Sequence, residues 1–168
     1  MLTRLQVDGF KNLLGLDVHF GPYTCIAGPN AVGKSNVFDA IEFLSLLADH
    51  TFLEATQRLR LRGGQVVDPR SLFWNNAESS DPVISFGVEM IVPSEVTDDF
   101  GREVSATTTF LRYDLKLRYL PPDPDSPQIG RIQLEHEKLT HINLGEAHKH
   151  LPWPHSKKKF RDTVVRGR

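Results

Sequence analysis

The fold class of this chain is decided by residues 28–35, which read Gly28-Pro29-Asn30-Ala31-Val32-Gly33-Lys34-Ser35. The stretch fits the pattern G-x-x-x-x-G-K-[ST], in which successive backbone N–H groups wrap a phosphate group. Gly28 and Gly33 supply the backbone freedom for this path, because side chains there would block the approach of the phosphate. The sequence therefore predicts a phosphate-binding loop, or P-loop, and with it nucleotide binding.

The flanks of the loop support this prediction. The compact apolar run 23–27 predicts a buried strand before the loop, and Cys25, the only cysteine, is expected to be buried in it. From Lys34 the apolar residues recur at helical spacing, which predicts a helix buried over much of its girth. The N-terminus of that helix would face the phosphates.

Two side chains of the motif have predicted roles. Lys34 would reach the β- and γ-phosphate oxygens, and it is the candidate catalytic residue. The hydroxyl of Ser35 would ligate Mg²⁺. No Asn-Lys-x-Asp motif for reading guanine is present, which favours ATP over GTP. The predicted cofactors are therefore ATP and Mg²⁺.

Hydrolysis also requires a Walker B element, an apolar strand that ends in acidic residues. The two candidates, 83–89 and 111–114, alternate apolar with polar residues and fit wet-faced strands better. The sequence thus predicts the phosphate half of an active site without an evident catalytic half.

The remaining pattern predicts strands. Two short ones precede the P-loop, a weak helix covers 51–62, and strands at 83–92, 109–120 and near 129–139 predict an antiparallel meander with one wet side. We predict an α/β fold, a P-loop NTPase with an antiparallel β-meander subdomain. Its expected parts are a nucleotide-binding core at 1–80, the β-subdomain at 81–140 and a basic tail or linker at 141–168.

Composition narrows the class of protein. At 168 residues with a net charge of -1, the chain has room for one ordinary domain and gives no general reason to expect nucleic acid or a membrane as partner. No stretch approaches about 18 apolar residues, and the N-terminus lacks the apolar core of a signal peptide. A cytoplasmic location is expected.

Three stretches together resemble the N-terminus of ABC-type ATPases related to SMC, RecF and the OLD-family nucleases. They are Leu5-Gln6-Val7-Asp8-Gly9-Phe10-Lys11-Asn12, the loop 28–36, and Asp39-Ala40-Ile41. The resemblance is strong over 1–48 and architectural to about residue 140. It implies that the loop wraps the phosphates with Asn30, Ala31, Val32, Gly33, Lys34, Ser35 and Asn36, and that Lys11 lies near the nucleotide.

The same resemblance implies how such a protein works. ATP would join two ATPase heads, a homodimer or a pair with a partner subunit, and hydrolysis would release them. The signature, Walker B and switch elements of such ATPases lie in a C-terminal half that is not in this sequence. The chain is therefore expected to be the N-terminal portion of a longer ATPase, or a short chain that needs a partner, with DNA or a nuclease effector as further partners in DNA repair or antiviral defence.

Two other functions fit the motif. A small P-loop kinase would need an acidic residue to activate the acceptor hydroxyl and a lid that carries arginines. A non-catalytic ATP-sensing subunit would bind nucleotide without turnover.

Overall fold

The computed structural model describes residues 1–60, 68–74, 82–97, 99–122, 130–151 and 164. Within these residues the chain forms seven strands and two α-helices, together with 3₁₀ turns at Pro69–Leu72 and Ala147–Lys149. In chain order the elements are β1 (Leu2–Asp8), β2 (Leu16–His19), α1 (Lys34–Leu46), α2 (Phe52–Arg60), β3 (Val83–Ile91), β4 (Glu95–Thr97), β5 (Glu103–Ser105), β6 (Phe110–Leu120) and β7 (Arg131–His141).

Five strands form one antiparallel sheet in the order β2-β1-β3-β6-β7. The predicted meander corresponds to β3, β6 and β7, which are neighbours in this sheet. Leu5 of β1 lies opposite Val88 of β3, so the strands of 1–80 and those of 81–140 share one sheet. The separate hairpin β4–β5, which the sequence analysis did not predict, has only exposed residues in its strands.

One face of the sheet forms the core with α1. Alternation along β6 buries Leu115, Leu117 and Tyr119 on this face, as the sequence predicted. The rings of Phe10, Phe43 and Phe86 meet at centroid distances of 5.6 to 6.1 Å. Burial of each such ring stabilises the fold by about 2–3 kcal/mol, so this cluster fixes α1 on the sheet.

Helix α1 is fully buried on the side that faces the sheet. Val37, Ala40 and Phe43 are buried, at positions that share a helical face. Phe38 on another face is 58% exposed. Half-buried residues such as Ile41 and Leu44 extend the contact with the core, so the helix is buried over part of its girth and exposed on a stripe that includes Phe38.

The opposite face of the sheet carries paired charges. Asp17 of β2 accepts two hydrogen bonds from the Arg4 guanidinium, at 2.8 and 2.6 Å, which lower the pKa of that carboxyl to about 2. On the same face the Arg112 guanidinium of β6 donates to the Asp114 carboxylate. Its Nη1 lies 3.2 Å from Oε1 of Glu89, which is fully buried. Charges of both signs are matched on this face.

Residues 23–27 do not form the buried strand that the sequence predicted. The segment has no regular structure, Tyr23 is 88% exposed, and Cys25 is exposed as well. No described strand pairs with the segment, and an extended segment without a neighbour has no ladder of backbone hydrogen bonds to hold it. The predictions of a buried strand and of a buried Cys25 are wrong for this structure.

Helix α2 begins at a capping box. Thr51 Oγ1 accepts from the Glu54 amide at 3.3 Å, and the Glu54 carboxylate accepts from the Thr51 amide at 2.9 Å. The weak helix predicted over 51–62 is thus confirmed for Phe52–Arg60, and residue 61 onward lies outside the described residues. No helix in the described ranges is long and apolar enough to cross a membrane.

Candidate functional site

The P-loop runs directly into α1. Helix α1 begins at Lys34, and Gly33 is its N-cap, with a φ of 99° that a side chain would strain. The amides of Asn36 and Val37 donate to the Gly33 carbonyl, at 2.9 and 3.2 Å. The earlier amides, those of Lys34 and Ser35, have no intrahelical acceptor, which leaves them available to a phosphate.

A second residue of the loop also has left-handed backbone geometry. Ala31 has a φ of 67°, a conformation that costs a non-glycine residue about 1–2 kcal/mol. Left-handed residues turn successive N–H groups to one side of the chain, which makes a concave anion site. An unfavourable backbone held at a loop tip is typical of functional loops.

The side chain of Lys34 folds over this loop. Its ammonium donates to the carbonyl of Gly28 at 2.6 Å and to the carbonyl of Pro29. No hydrogen bond engages the Ser35 hydroxyl among the residues that the structure describes. The two side chains with predicted chemistry therefore sit next to each other at the start of α1, one of them capping the loop.

These residues surround a small cavity of about 230 Å³, lined by Asn12, Asn30, Ala31, Gly33, Lys34, Ser35 and Asn36. Pockets that enclose a whole drug-sized ligand run from about 300 to 1,000 Å³. The cavity therefore suits the phosphates of a nucleotide better than its base. Gly28 and Val32, two other predicted site residues, do not line the cavity. The carbonyl of Gly28 accepts a hydrogen bond from Lys34, and Val32 is 56% exposed.

Lys11, which the resemblance placed near the nucleotide, forms an ion pair with Asp39 on α1 and does not line the cavity. Its neighbour Asn12 does line it. The sequence analysis did not single out Asn12 as a site residue. Asn12 follows Lys11 within the stretch that carries the resemblance, but nothing in its spacing from Gly33 signals that the two meet.

Ser35 is the predicted protein ligand for Mg²⁺ at this site. The Ser35 hydroxyl is an oxygen donor of the kind that Mg²⁺ accepts, with phosphate oxygens and water completing its coordination. No carboxylate lines the cavity, and no group of three or more His, Cys, Asp or Glu side chains suited to a metal occurs in the described residues. The donor set therefore fits Mg²⁺ bound together with phosphates, rather than a metal held by protein side chains.

Two larger cavities lie away from the loop. A depression of about 390 Å³ lies on the charged face of the sheet, lined by Arg112, Asp114 and Asp17 among others, whose charges pair with one another or with Arg4. An apolar groove of about 320 Å³ lies between α1 and the sheet, at Ile41, Leu44 and Met90. Neither is lined by P-loop residues or by the first turn of α1, so the smaller loop cavity is the candidate site.

Comparison with known proteins identifies a family whose model covers the P-loop and α1. The model of the family described as "AAA domain, putative AbiEii toxin, Type IV TA system" matches residues 23–162. The OLD nuclease of Thermus scotoductus is 46% identical over 44 residues, which are 26% of this chain and 8% of that protein. These matches and the next two confirm the predicted resemblance to the N-terminal region of ABC/AAA-type P-loop ATPases.

Two further relatives extend the comparison. The DNA replication and repair protein RecF of Acaryochloris marina is 44% identical over 50 residues, 29% of this chain and 13% of that protein. The structural maintenance of chromosomes protein 1 of Schizosaccharomyces pombe is 34% identical over 88 residues, 51% of this chain and 7% of that protein. The chain thus spans only a small part of the length of the curated relatives it matches.

Proposed function

Because this chain belongs to that AAA-domain family, whose model matches well over half of its length, we propose that it is the ATP-binding part of a P-loop ATPase. The observation that carries the proposal is the loop itself. The left-handed residues Ala31 and Gly33, together with Lys34 and Ser35 at the start of α1, line one cavity. Lys34 and Ser35 would serve the β- and γ-phosphates and Mg²⁺.

Hydrolysis would need a second contribution. The cavity wall holds no carboxylate, so the described residues offer no group at the loop to polarise an attacking water. We therefore propose that Walker B and signature elements outside this sequence complete the site, in a head that dimerises on ATP. The unpaired segment 23–27 beside the loop supports this proposal, because its backbone is open to a neighbouring strand.

The cellular role is proposed from the relatives. One is by name a DNA replication and repair protein, another a nuclease, and the family description includes a toxin of toxin–antitoxin systems. We propose that ATP binding here is coupled to DNA repair or to antiviral defence, with DNA or a nuclease effector as the further partner. A cytoplasmic site of action follows from that role.

A non-catalytic ATP sensor is the second candidate, favoured by the lack of a carboxylate in the described cavity wall. It predicts nucleotide binding without turnover at any protein concentration. An ATPase head predicts turnover once the completing elements are added. A small P-loop kinase gains no support, since its acceptor-activating acid would have to reach this same cavity.

Titration of the chain with Mg·ATP, in parallel with Lys34→Ala and with measurement of released phosphate, tests the proposal. Binding that the variant loses, with negligible turnover by the wild type, is expected. Robust turnover by the isolated chain would show that it supplies its own catalytic carboxylate and would overturn the need for completion. Equal affinity of both proteins would overturn ATP binding at this loop.

A further inference from the structure

The side chain of Asn12 reaches the P-loop from the turn between β1 and β2. Its Oδ1 accepts a hydrogen bond from Asn36 Nδ2 at 2.7 Å. Its amide lies directly against Gly33, where a Cβ atom would come within 2.7 Å of Oδ1 and 3.0 Å of Nδ2. Asn12 is also part of the cavity wall. A residue remote in sequence thus contributes to the phosphate cavity.

Hydrogen bonds and an ion pair hold the turn that carries Asn12. The Gly9 amide donates to the carbonyl of Leu13 at 2.9 Å, and the Lys11 amide donates to the carbonyl of Leu72 at 2.7 Å. The Lys11 ammonium is held by Asp39 on α1. These bonds hold the backbone on both sides of Asn12, and the bond from Asn36 holds its side chain, which lowers the entropy cost of using it in binding.

The chemistry of the side chain suits a phosphate. An asparagine amide has an acceptor oxygen and an NH₂ group with two donor hydrogens. Here the oxygen is engaged by Asn36, and within the described residues no acceptor takes the hydrogens of Asn12 Nδ2. Phosphate oxygens are acceptors only, and hydrogen bonds to charged oxygens are the stronger kind.

Building on the proposed ATP binding, we propose that Asn12 is a phosphate-binding residue whose Nδ2 donates to the polyphosphate of the bound nucleotide. The bond to Asn36 engages the oxygen and leaves the NH₂ group, in a residue that lines the cavity, without an acceptor among the described residues. Lys34, the first amides of α1 and Asn12 then contact the phosphates from different elements. This donor supplements the P-loop motif and is not part of it.

A purely structural role for Asn12 is the competing explanation, since it also braces the turn against α1. The isosteric substitution Asn12→Asp separates the two. A carboxylate still accepts from Asn36 Nδ2, so the brace remains, but it has no donor and repels phosphate. Asn12→Ala removes both the brace and the donor. Asn143→Asp places the same charge on an exposed loop and serves as the matched control.

The experiment measures calorimetric affinities of the full chain for Mg·ATP and for Mg·tripolyphosphate, which share only the phosphates. We expect Asn12→Asp to weaken both about ten- to hundred-fold, and Asn143→Asp to leave both unchanged. We also expect the unliganded Asn12→Asp variant to keep the wild-type amide resonances of Gly33 and Asn36. The Asn12 side-chain NH₂ resonance of the wild type should shift on addition of either ligand.

Three results would overturn the proposal. Wild-type affinity in Asn12→Asp shows that no donor is needed at this position. A loss with Mg·ATP but not with Mg·tripolyphosphate places the contact on the ribose or base. Displaced Gly33 and Asn36 resonances in unliganded Asn12→Asp, with equal losses in Asn12→Ala, assign the residue a structural role. Failure of the proposed function looks different, because the wild type itself then fails to bind Mg·ATP.

Discussion

Nζ of Lys34 lies 2.6 Å from the carbonyl oxygen of Gly28, so the lysine of the motif closes the P-loop on itself. A bond to the carbonyl of Pro29 adds to this closure. Both acceptors are neutral and belong to exposed residues. Phosphate oxygens are charged acceptors and form stronger bonds, so an incoming nucleotide can take the ammonium from the loop. These bonds keep the loop compact, and phosphate oxygens can replace the two carbonyls as acceptors of the ammonium.

Replacement of Lys34 should weaken the binding of Mg·ATP and leave the stability of the fold nearly unchanged. In Lys34→Ala we expect the affinity for Mg·ATP to fall by about tenfold or more, because a charged donor to the phosphates is lost. The free energy of unfolding should change by less than about 1 kcal/mol, since the hydrogen bonds that the variant loses are exposed. Calorimetry and urea denaturation measure the two quantities.

The matched control is Lys138→Ala, an exposed lysine on the edge strand β7. It removes the same charge away from the loop and should leave the affinity intact. A Lys34→Ala variant that binds Mg·ATP like the wild type would contradict the role assigned to the lysine. A large loss of stability would instead mean that the closed loop supports the fold.

Gly33 is constrained twice, by its φ of 99° and by contact with Asn12. In Gly33→Ala we expect a loss of about 1–3 kcal/mol in the free energy of unfolding, from left-handed strain and the clash together, and a loss of nucleotide affinity. Gly101→Ala is the control, because Gly101 has a φ of 78° but no atom lies within 4 Å of the position that a Cβ would take there.

Comparison of the two glycine variants separates the cost of left-handed backbone strain from the cost of the clash with Asn12. Gly101→Ala should cost only the backbone strain, about 1–2 kcal/mol, and leave binding unaffected. Denaturant unfolding of both variants gives the difference that belongs to the clash with Asn12. Equal destabilisation of the two variants would show that the Asn12 side chain yields freely, which would weaken the view that it is held against the loop.

Much of this site was predictable from local sequence, and the reason is physical. The turn at Gly33 and the start of α1 depend on residues adjacent in the chain, so the motif predicts them. Alternation along β6 likewise predicts its buried face, because side chains of a strand alternate between its two sides. Such features need no knowledge of distant partners.

The features that sequence did not reveal depend on distant contacts. Asn12 meets Gly33 because the turn after β1 packs against the start of α1, a tertiary contact that no local pattern specifies. The apolar run 23–27 has the composition of a buried strand but lacks a neighbour among the described strands, so its Tyr23 is exposed. The hairpin β4–β5 has short strands with no buried side, which leaves no alternation for sequence analysis to detect.

The Arg4–Asp17 pair on the charged sheet face should make the free energy of unfolding depend on pH in the acid range. The folded-state pKa of Asp17, about 2, lies below its ordinary value of 3.8, so the carboxylate contributes stability above about pH 4 that is lost as the pH falls through about 2. In Asp17→Asn we expect a loss of about 1 kcal/mol or less at neutral pH, because the side chain is 41% exposed.

The difference between wild type and Asp17→Asn should therefore shrink between about pH 4 and about pH 2. Urea denaturation at several pH values measures it, with Asp99→Asn in the exposed β4–β5 turn as the control for removal of one negative charge. A difference that stays constant over this range would contradict the assignment of the depressed pKa to the pair with Arg4.

Cys25 provides a direct probe of the segment before the P-loop, because it is the only cysteine and is exposed. We expect a thiol reagent to modify it in the folded chain at nearly the rate found in urea, since an accessible thiol is limited by its own chemistry. Mg·ATP should not slow the reaction in dilute protein, because Cys25 does not line the loop cavity. Slow labelling of the dilute folded chain would show that residues 23–27 are buried after all. Protection that appears only with Mg·ATP at high protein concentration would instead place this segment in an interface between ATP-bound copies.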